Sequence, residues 1–270
     1  MKRPRRDLAS VGARIFGGRR TSALMHVGMS EVSLRGTPGF PGGGVLAKYP
    51  VEGAGIEAAC GAARTLLAGH DKTPIDTHLA CGWSRLLLLP WMDQLTSEQR
   101  WETYAQARFE QVYGDGSDTW EIRVARNAPG QDRLAAAWPR ALRETLASHR
   151  NVRSARVGLL EHMGVLLAHE PQFSGCLTEI EADGAGFVLL VNGRPRRVRW
   201  SRFDDDEGLS AAVRSEWASV LAAEPRGPAA EVGLALTPPV PEGGSARAAT
   251  VGALATGLGF SRAFSLPEWP

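Results

Sequence analysis

The segment 176–203, CLTEIEADGAGFVLLVNGRPRRVRWSRF, constrains the fold more than any other stretch of this chain. Its apolar runs have strand length and are separated by Asp-Gly and Asn-Gly, dipeptides that tolerate the left-handed backbone of tight hairpin turns. The pattern predicts three consecutive antiparallel strands over 176–181, 187–191 and 196–202. In the third, Val198 and Trp200 fall on one face while Arg197 and Arg199 fall on the other, as the twofold strand period requires. Such a meander must bury its apolar face against another layer. DDDEGLSAAVRSEWASVLAAE supplies a helix directly afterwards, its acidic start suited to the positive end of the helix dipole. EVGLALTPP then reads as one more strand.

A similar order occupies the first part of the chain. SALMHVGMSEVSLRG predicts two short strands, 22–27 and 31–35, around a tight turn. TPGFPGGG is a loop by composition, and VLAKYPV is a third strand that Pro50 confines to an edge or an end. GIEAACGAARTLLAG predicts a helix with Ile56, Ala59, Cys60, Ala63, Leu66 and Leu67 on one face and Gly69 as its stop. THLACGWSRLLLLP reads as a single strand, apolar on both faces at its end like a central strand covered on two sides. Pro90 has no N–H and fits where pairing stops. Thr96 and Gln99 form a capping box, and Trp101, Tyr104, Ala105, Phe109 and Val112 make one helical stripe expected to lie on the sheet. DTWEIRVA predicts a strand, DRLAAAWPRALRETLASH a helix interrupted near Trp138-Pro139, and VRSARVGLLEHMGVLLAHE a strand and a further helix. The chain therefore reads as an α/β protein of two similar halves, each a three-strand meander with helices and further strands, joined near 150–156. The expected division is a basic leader (1–20), a first subdomain (21–150), a second (151–240) and a Gly/Ala-rich segment (241–270).

Charge bears on partners. The net charge is +2, but residues 1–20 carry +6, which leaves −4 for the remainder. A basic excess on a leader, with none on the body, argues against a nucleic-acid partner. The leader reads either as a disordered tail or as an anchor, in which Leu8, Val11 and Ile15 share a helical face and the arginines meet anionic lipid or an acidic partner. Cys60, Cys81 and Cys176 are far apart in apolar surroundings and read as reduced core thiols, which points to a cytoplasmic location. No stretch approaches the roughly 20 apolar residues of a membrane span.

Motif chemistry is thin. GAGIEA (53–58) matches a dinucleotide-binding turn, but Pro50 breaks the strand that should lead into it. CGWSRL lacks the second glycine of a hydrolase nucleophile elbow, and no Walker Gly-Lys-Ser/Thr occurs. The histidines at 26, 70, 78, 149, 162 and 169 show no metal-ligand spacing, and His162 and His169 read as surface or capping residues.

Three strands with turns, then a helix and a strand, given twice, resembles the plan of the actin-like fold, with two RNase H-like subdomains. Within it, RLLLLPWMDQLTSEQRWETYAQARFEQVYG (85–114), with Phe109 and Glu110, and LTEIEADGAGFVLLVNGRPRRVRW (177–200) are similar to segments of the cytoplasmic proteins of type IV pilus and type II secretion machines, the PilM and GspL type. The resemblance spans roughly 22–236. It implies a cytoplasmic scaffold at the inner face of the bacterial inner membrane, bound to an inner-membrane assembly protein and acting by protein–protein contact. Nucleotide-binding members need Asp-x-Gly turns in both halves, where carboxylates hold the metal and glycines admit the phosphates. Here HVGMSEV has no acid ahead of Gly28, and the second turn places Glu179 in the acidic position but Glu181 where the glycine should be. Asp183, Gly184 and Gly186 lie a little later and complete the nucleotide-site candidates, with ATP and Mg as the cofactors they would serve. The expectation is a protein without cofactor that leans away from an enzyme. The alternative is an actin-like ATPase or small-molecule kinase holding Mg-ATP between the halves.

The partner-binding candidates are Arg194, Arg197 and Arg199 in RPRRVRWSR, a docking strip for an acidic segment because arginine pairs carboxylates bidentately, and Trp269 in SLPEWP.

Overall fold

The computed structural model describes residues 22–37, 40, 44–53, 55–114, 119–181, 184–203, 206–223, 233–236 and 262–265. Strands β1 (Ala23–Val27), β2 (Glu31–Gly36) and β3 (Gly44–Pro50) form the first meander, and helix α1 (Ile56–Ala68) follows. The chain continues through β4 (Ile75–Leu79), a 3-10 turn (Cys81–Trp83), β5 (Arg85–Leu89), α2 (Glu98–Tyr113), β6 (Trp120–Val124), β7 (Arg133–Pro139), α3 (Arg140–Ala147) and β8 (Val152–Val157). Helix α4 (Gly158–His169) leads to the second meander, β9 (Gly175–Ile180), β10 (Gly184–Val191) and β11 (Arg194–Arg202), then α5 (Asp206–Ala223), β12 (Gly233–Leu236) and β13 (Arg262–Ser265).

Two five-stranded sheets have the same plan. One runs β3-β2-β1-β4-β8 and the other β11-β10-β9-β12-β13, antiparallel through the meander and parallel beyond it. The three-stranded sheet β5-β7-β6 is inserted between β4 and β8. The Asn192-Gly193 turn that joins β10 to β11 has φ of +50° and +73°, the left-handed pair a tight hairpin needs. On the first sheet, Met25, Val27, Val32, Leu34, Ile75 and Leu79 face α1, whose Ala59, Cys60, Leu66 and Leu67 complete that core. Pro50 ends the edge strand β3 and Gly69 caps α1, as the sequence suggests.

Five expectations are corrected. THLACGWSRLLLLP is two strands in two sheets, because the buried turn at Cys81–Trp83 redirects the chain between them. β5 is an edge strand, and it is apolar on both faces because Leu87 and Leu89 meet α2 while Leu86 meets the second lobe. DRLAAAWP is the central strand β7, with α3 beginning after Pro139. Its alanines give no strand signal of their own; pairing on both sides fixes them, and Ala135 and Ala137 leave room for Trp101, Ala105 and Phe109 of α2. The cap of α2 is Ser97, one residue past the expected box, with its side chain accepting from the Arg100 N–H. Tyr104 is partly buried and Val112 stays exposed, so the aromatic stripe is narrower than its spacing implies. Beyond the expected elements, β13 extends the second sheet. The three cysteines are buried thiols. Among the described residues no helix is long and apolar enough to cross a membrane.

Candidate functional site

The first sheet carries a polar row on the face away from α1. Lys48, Ser33, His26, His78 and Arg156 stand side by side in register across β3, β2, β1, β4 and β8. Polar residues at successive interior strand positions are costly unless something polar meets them. For His26, His78 and Arg156 what meets them is α4 and the second meander, while Lys48 pairs with Glu31 on β2. His78 Nε2 lies 3.6 Å from Glu161 Oε2 and Arg156 NH1 lies 2.5 Å from Glu161 Oε1. His162 Nδ1 stands 3.5 Å from Glu179 Oε1, and the His78 and His162 rings meet edge to face at 6.0 Å. The Glu179 carboxylate rests against Gly158, the first residue of α4, at a point where a Cβ could not fit. A helix start favours negative charge there.

A second layer closes the same junction. The Cys81 N–H donates to Glu181 Oε1, and Trp83 Nε1 donates to the Gly28 carbonyl at 2.8 Å. Gly82 is pressed by Met29 from the first meander and by Trp200 from the second. The Trp200 indole also lies across Gly184, and Gly186 backs onto Cys81 Sγ and Leu159. The turns that follow β1 and β9 thus converge on Cys81–Trp83, with protein side chains packed between them.

Burial shapes the ionisation of these groups. It lowers His26 to about 4; Glu179 offsets part of this, while His78, His162 and Arg35 add to it. Burial would raise Glu161, but its close approach to the His78 imidazole and then to the Arg156 guanidinium outweighs that and holds it below the usual carboxylate range. The Cys81 thiol is pushed well up by burial and then by Glu181 and Glu179, so it is no nucleophile near neutral pH. Among the described residues no group of three or more His, Cys, Asp and Glu could hold a metal ion.

The expected nucleotide-site residues Glu179, Gly184 and Gly186 all lie at this junction, with Glu179 buried. Asp183 and Trp269 lie outside the described residues, as do the leader and most of 241–270. Arg194, Arg197 and Arg199 are exposed on β11, which is an edge strand of its sheet. His162 is a correction: it is 9% exposed and faces Glu179, not a surface or capping residue. His26, His78, Glu161, Cys81 and Trp200 were not singled out for this site by sequence reasoning. One signal for one of them exists, since His26 interrupts the short apolar strand β1 at its penultimate position, whereas β4 (IDTHL) already carries Asp76 and Thr77 ahead of His78. The GAGIEA segment follows β3, an antiparallel edge strand, so it lacks the strand setting of a dinucleotide-binding turn.

No family model matches the chain, and no curated protein matches it. Solved structures do. A Bacteroides thetaiotaomicron protein described as having an actin-like ATPase fold and unknown function superposes with a TM-score of 0.60 at 8% identity, over 97% of this chain and 94% of that one. A PilM–PilN type IV pilus biogenesis complex gives 0.56 at 16% identity, over 92% of this chain and 89% of that one. The cytoplasmic domain of EpsL, an inner-membrane component of the Vibrio cholerae type II secretion system, gives 0.50 at 12% identity, over 83% and 84%. The chain has the actin-like α/β fold, with its two topologically matched five-stranded sheets as the two lobes.

Proposed function

We propose that this protein is a cytoplasmic scaffold of a type IV pilus or type II secretion-like apparatus, working by contact with an inner-membrane assembly protein and not by ATP hydrolysis. One observation carries the reading. The turns that an actin-like enzyme would open to phosphates are here packed with Trp200, Met29 and Glu181, and Glu181 already accepts from the Cys81 N–H. A carboxylate at that position repels a phosphate. The likeness of fold to a PilM–PilN complex and to the EpsL cytoplasmic domain supports the assembly role and the inner-membrane partner. The exposed Arg194, Arg197 and Arg199 suit an acidic segment of such a partner. The basic leader would add peripheral contact with anionic lipid.

The test is thermal unfolding with and without millimolar Mg-ATP. A ligand at about 100 times its Kd stabilises by about 2.7 kcal/mol and moves Tm by several degrees. The expected result is no shift. A clear shift would mean that the junction opens for nucleotide and would move the reading to an actin-like ATPase or small-molecule kinase.

A further inference from the structure

Five ionisable side chains converge where the lobes meet, and they come from four elements. His26 on β1 and His78 on β4 are register partners on one sheet face; Glu161 and His162 lie on α4; Glu179 lies on β9. Arg35 on β2, Arg156 on β8, and Cys81 with Glu181 at the 3-10 turn border them. A scaffold that only needed rigid lobes would be better served by apolar packing here, since buried ionic pairs add little to stability over well-packed apolar groups. We infer that this His–Glu cluster is a proton-operated latch between the lobes, closed when His26 is neutral and released when it gains a proton.

The sense of the switch follows from the neighbours. Protonation of His78 or His162 strengthens a pair with Glu161 or Glu179, so neither drives the lobes apart. His26 is different. It lies against Gly28 with cationic or potentially cationic neighbours on three elements (Arg35, His78 and His162), and Glu179 answers only part of that charge. An imidazolium there is relieved by water, and water enters only if the second lobe draws back. Separation would break the Cys81–Glu181 hydrogen bond and lift Trp200 off Gly82. The latch rests on the packed junction alone and is independent of any pilus or secretion partner.

The experiment is hydrogen–deuterium exchange of the full chain between pH 7.5 and 5.0, without nucleotide or partner and corrected for the intrinsic exchange rate. Junction peptides spanning 22–36, 75–90 and 175–202 are compared with the α1 peptide 56–68 as a core reference. Below pH 6.5, an opening coupled to one proton becomes about tenfold more populated per pH unit. The latch therefore requires about tenfold faster exchange in the junction peptides for each unit below that point, through an opening that leaves α1 exchanging more slowly than the junction at every pH, and little pH response in His26→Gln or His26→Asn. Three results would overturn it: junction exchange flat with pH, junction and α1 exchanging at one common rate at every pH as in global unfolding, or a variant keeping the parent profile. The first two are read on the unaltered protein, so a poorly folding variant cannot rescue the idea. Absence of any Mg-ATP effect would leave this inference standing, and a flat exchange profile would leave the scaffold reading standing.

Discussion

The two lobes build the same turn twice and fill it with opposite chemistry. In the first lobe, His26 is penultimate on β1 and faces Ser33 on β2. In the second, Glu179 is penultimate on β9 and faces Gly186 on β10. Topology makes these equivalent pairs, yet one lobe presents a base beside a hydroxyl and the other an acid beside a bare backbone. The two strand ends meet as complementary halves, where an actin-like nucleotide site would need acids on both sides.

The largest expected effect tests how tightly the second turn is packed. A Cβ at Gly186 would stand 2.7 Å from Cys81 Sγ and 2.9 Å from Leu159 Cδ2, with core on both sides. Gly186→Ala should cost about 3 kcal/mol, the upper range for overpacking, read as a lower urea midpoint. Its counterpart Ser33→Ala should be neutral or should stabilise by about 1 kcal/mol, because Ser33 Oγ is buried without a hydrogen-bond partner. Equal losses in both variants would mean that the two lobes are packed alike at these turns.

Next comes pH. His26 titrates at 6.5 when unfolded but at about 4 in the fold. Between those values the unfolded chain holds a proton that the folded one lacks, so stability falls as pH drops from 6.5 toward 4 and levels off below. The full effect is about 3 kcal/mol. Glu161, held low in the fold, acts in the same direction: its contribution is present above the ordinary carboxylate value and is lost as pH falls through its lowered one. Denaturant midpoints across pH 4.5–7.5 should slope upward in the parent and flatten in His26→Gln. A slope unchanged in that variant would assign the acid sensitivity elsewhere.

Much of the frame is legible in the sequence because it is local. The Asn-Gly turn, the helical face of α1 and the alternation of β11 each follow from a few neighbouring residues. β7 is not legible, since Leu134 to Ala137 would suit a helix and become a strand only through pairing with β5 and β6. The junction is harder still. Its members run from His26 to Trp200, with no spacing that announces them, and only the doubled topology brings them together. Glu179, Gly184 and Gly186 could be picked out because a hairpin motif ties them to one turn; His78 and His162 belong to different elements and have no such tie.

The smallest expected effect on the fold belongs to β11, where the proposed partner strip lies. Val198 and Trp200 of this strand face inward toward the junction, whereas Arg197 and Arg199 are exposed on the other face. Reversing both arginines to glutamate should change stability by no more than the few tenths of a kcal/mol typical of exposed positions, which is about 1–2 °C in Tm. Binding to the cytoplasmic tail of an inner-membrane assembly protein should weaken at least about tenfold, because each bidentate arginine–carboxylate contact becomes a repulsion. The affinity of the parent should also fall as salt rises, since exposed charge pairs are screened. If the double variant binds that tail as the parent does, the partner surface lies on another part of the lobes. If it binds weakly but also melts early, the arginines serve the lobe itself, and the separation of inner and outer faces fails.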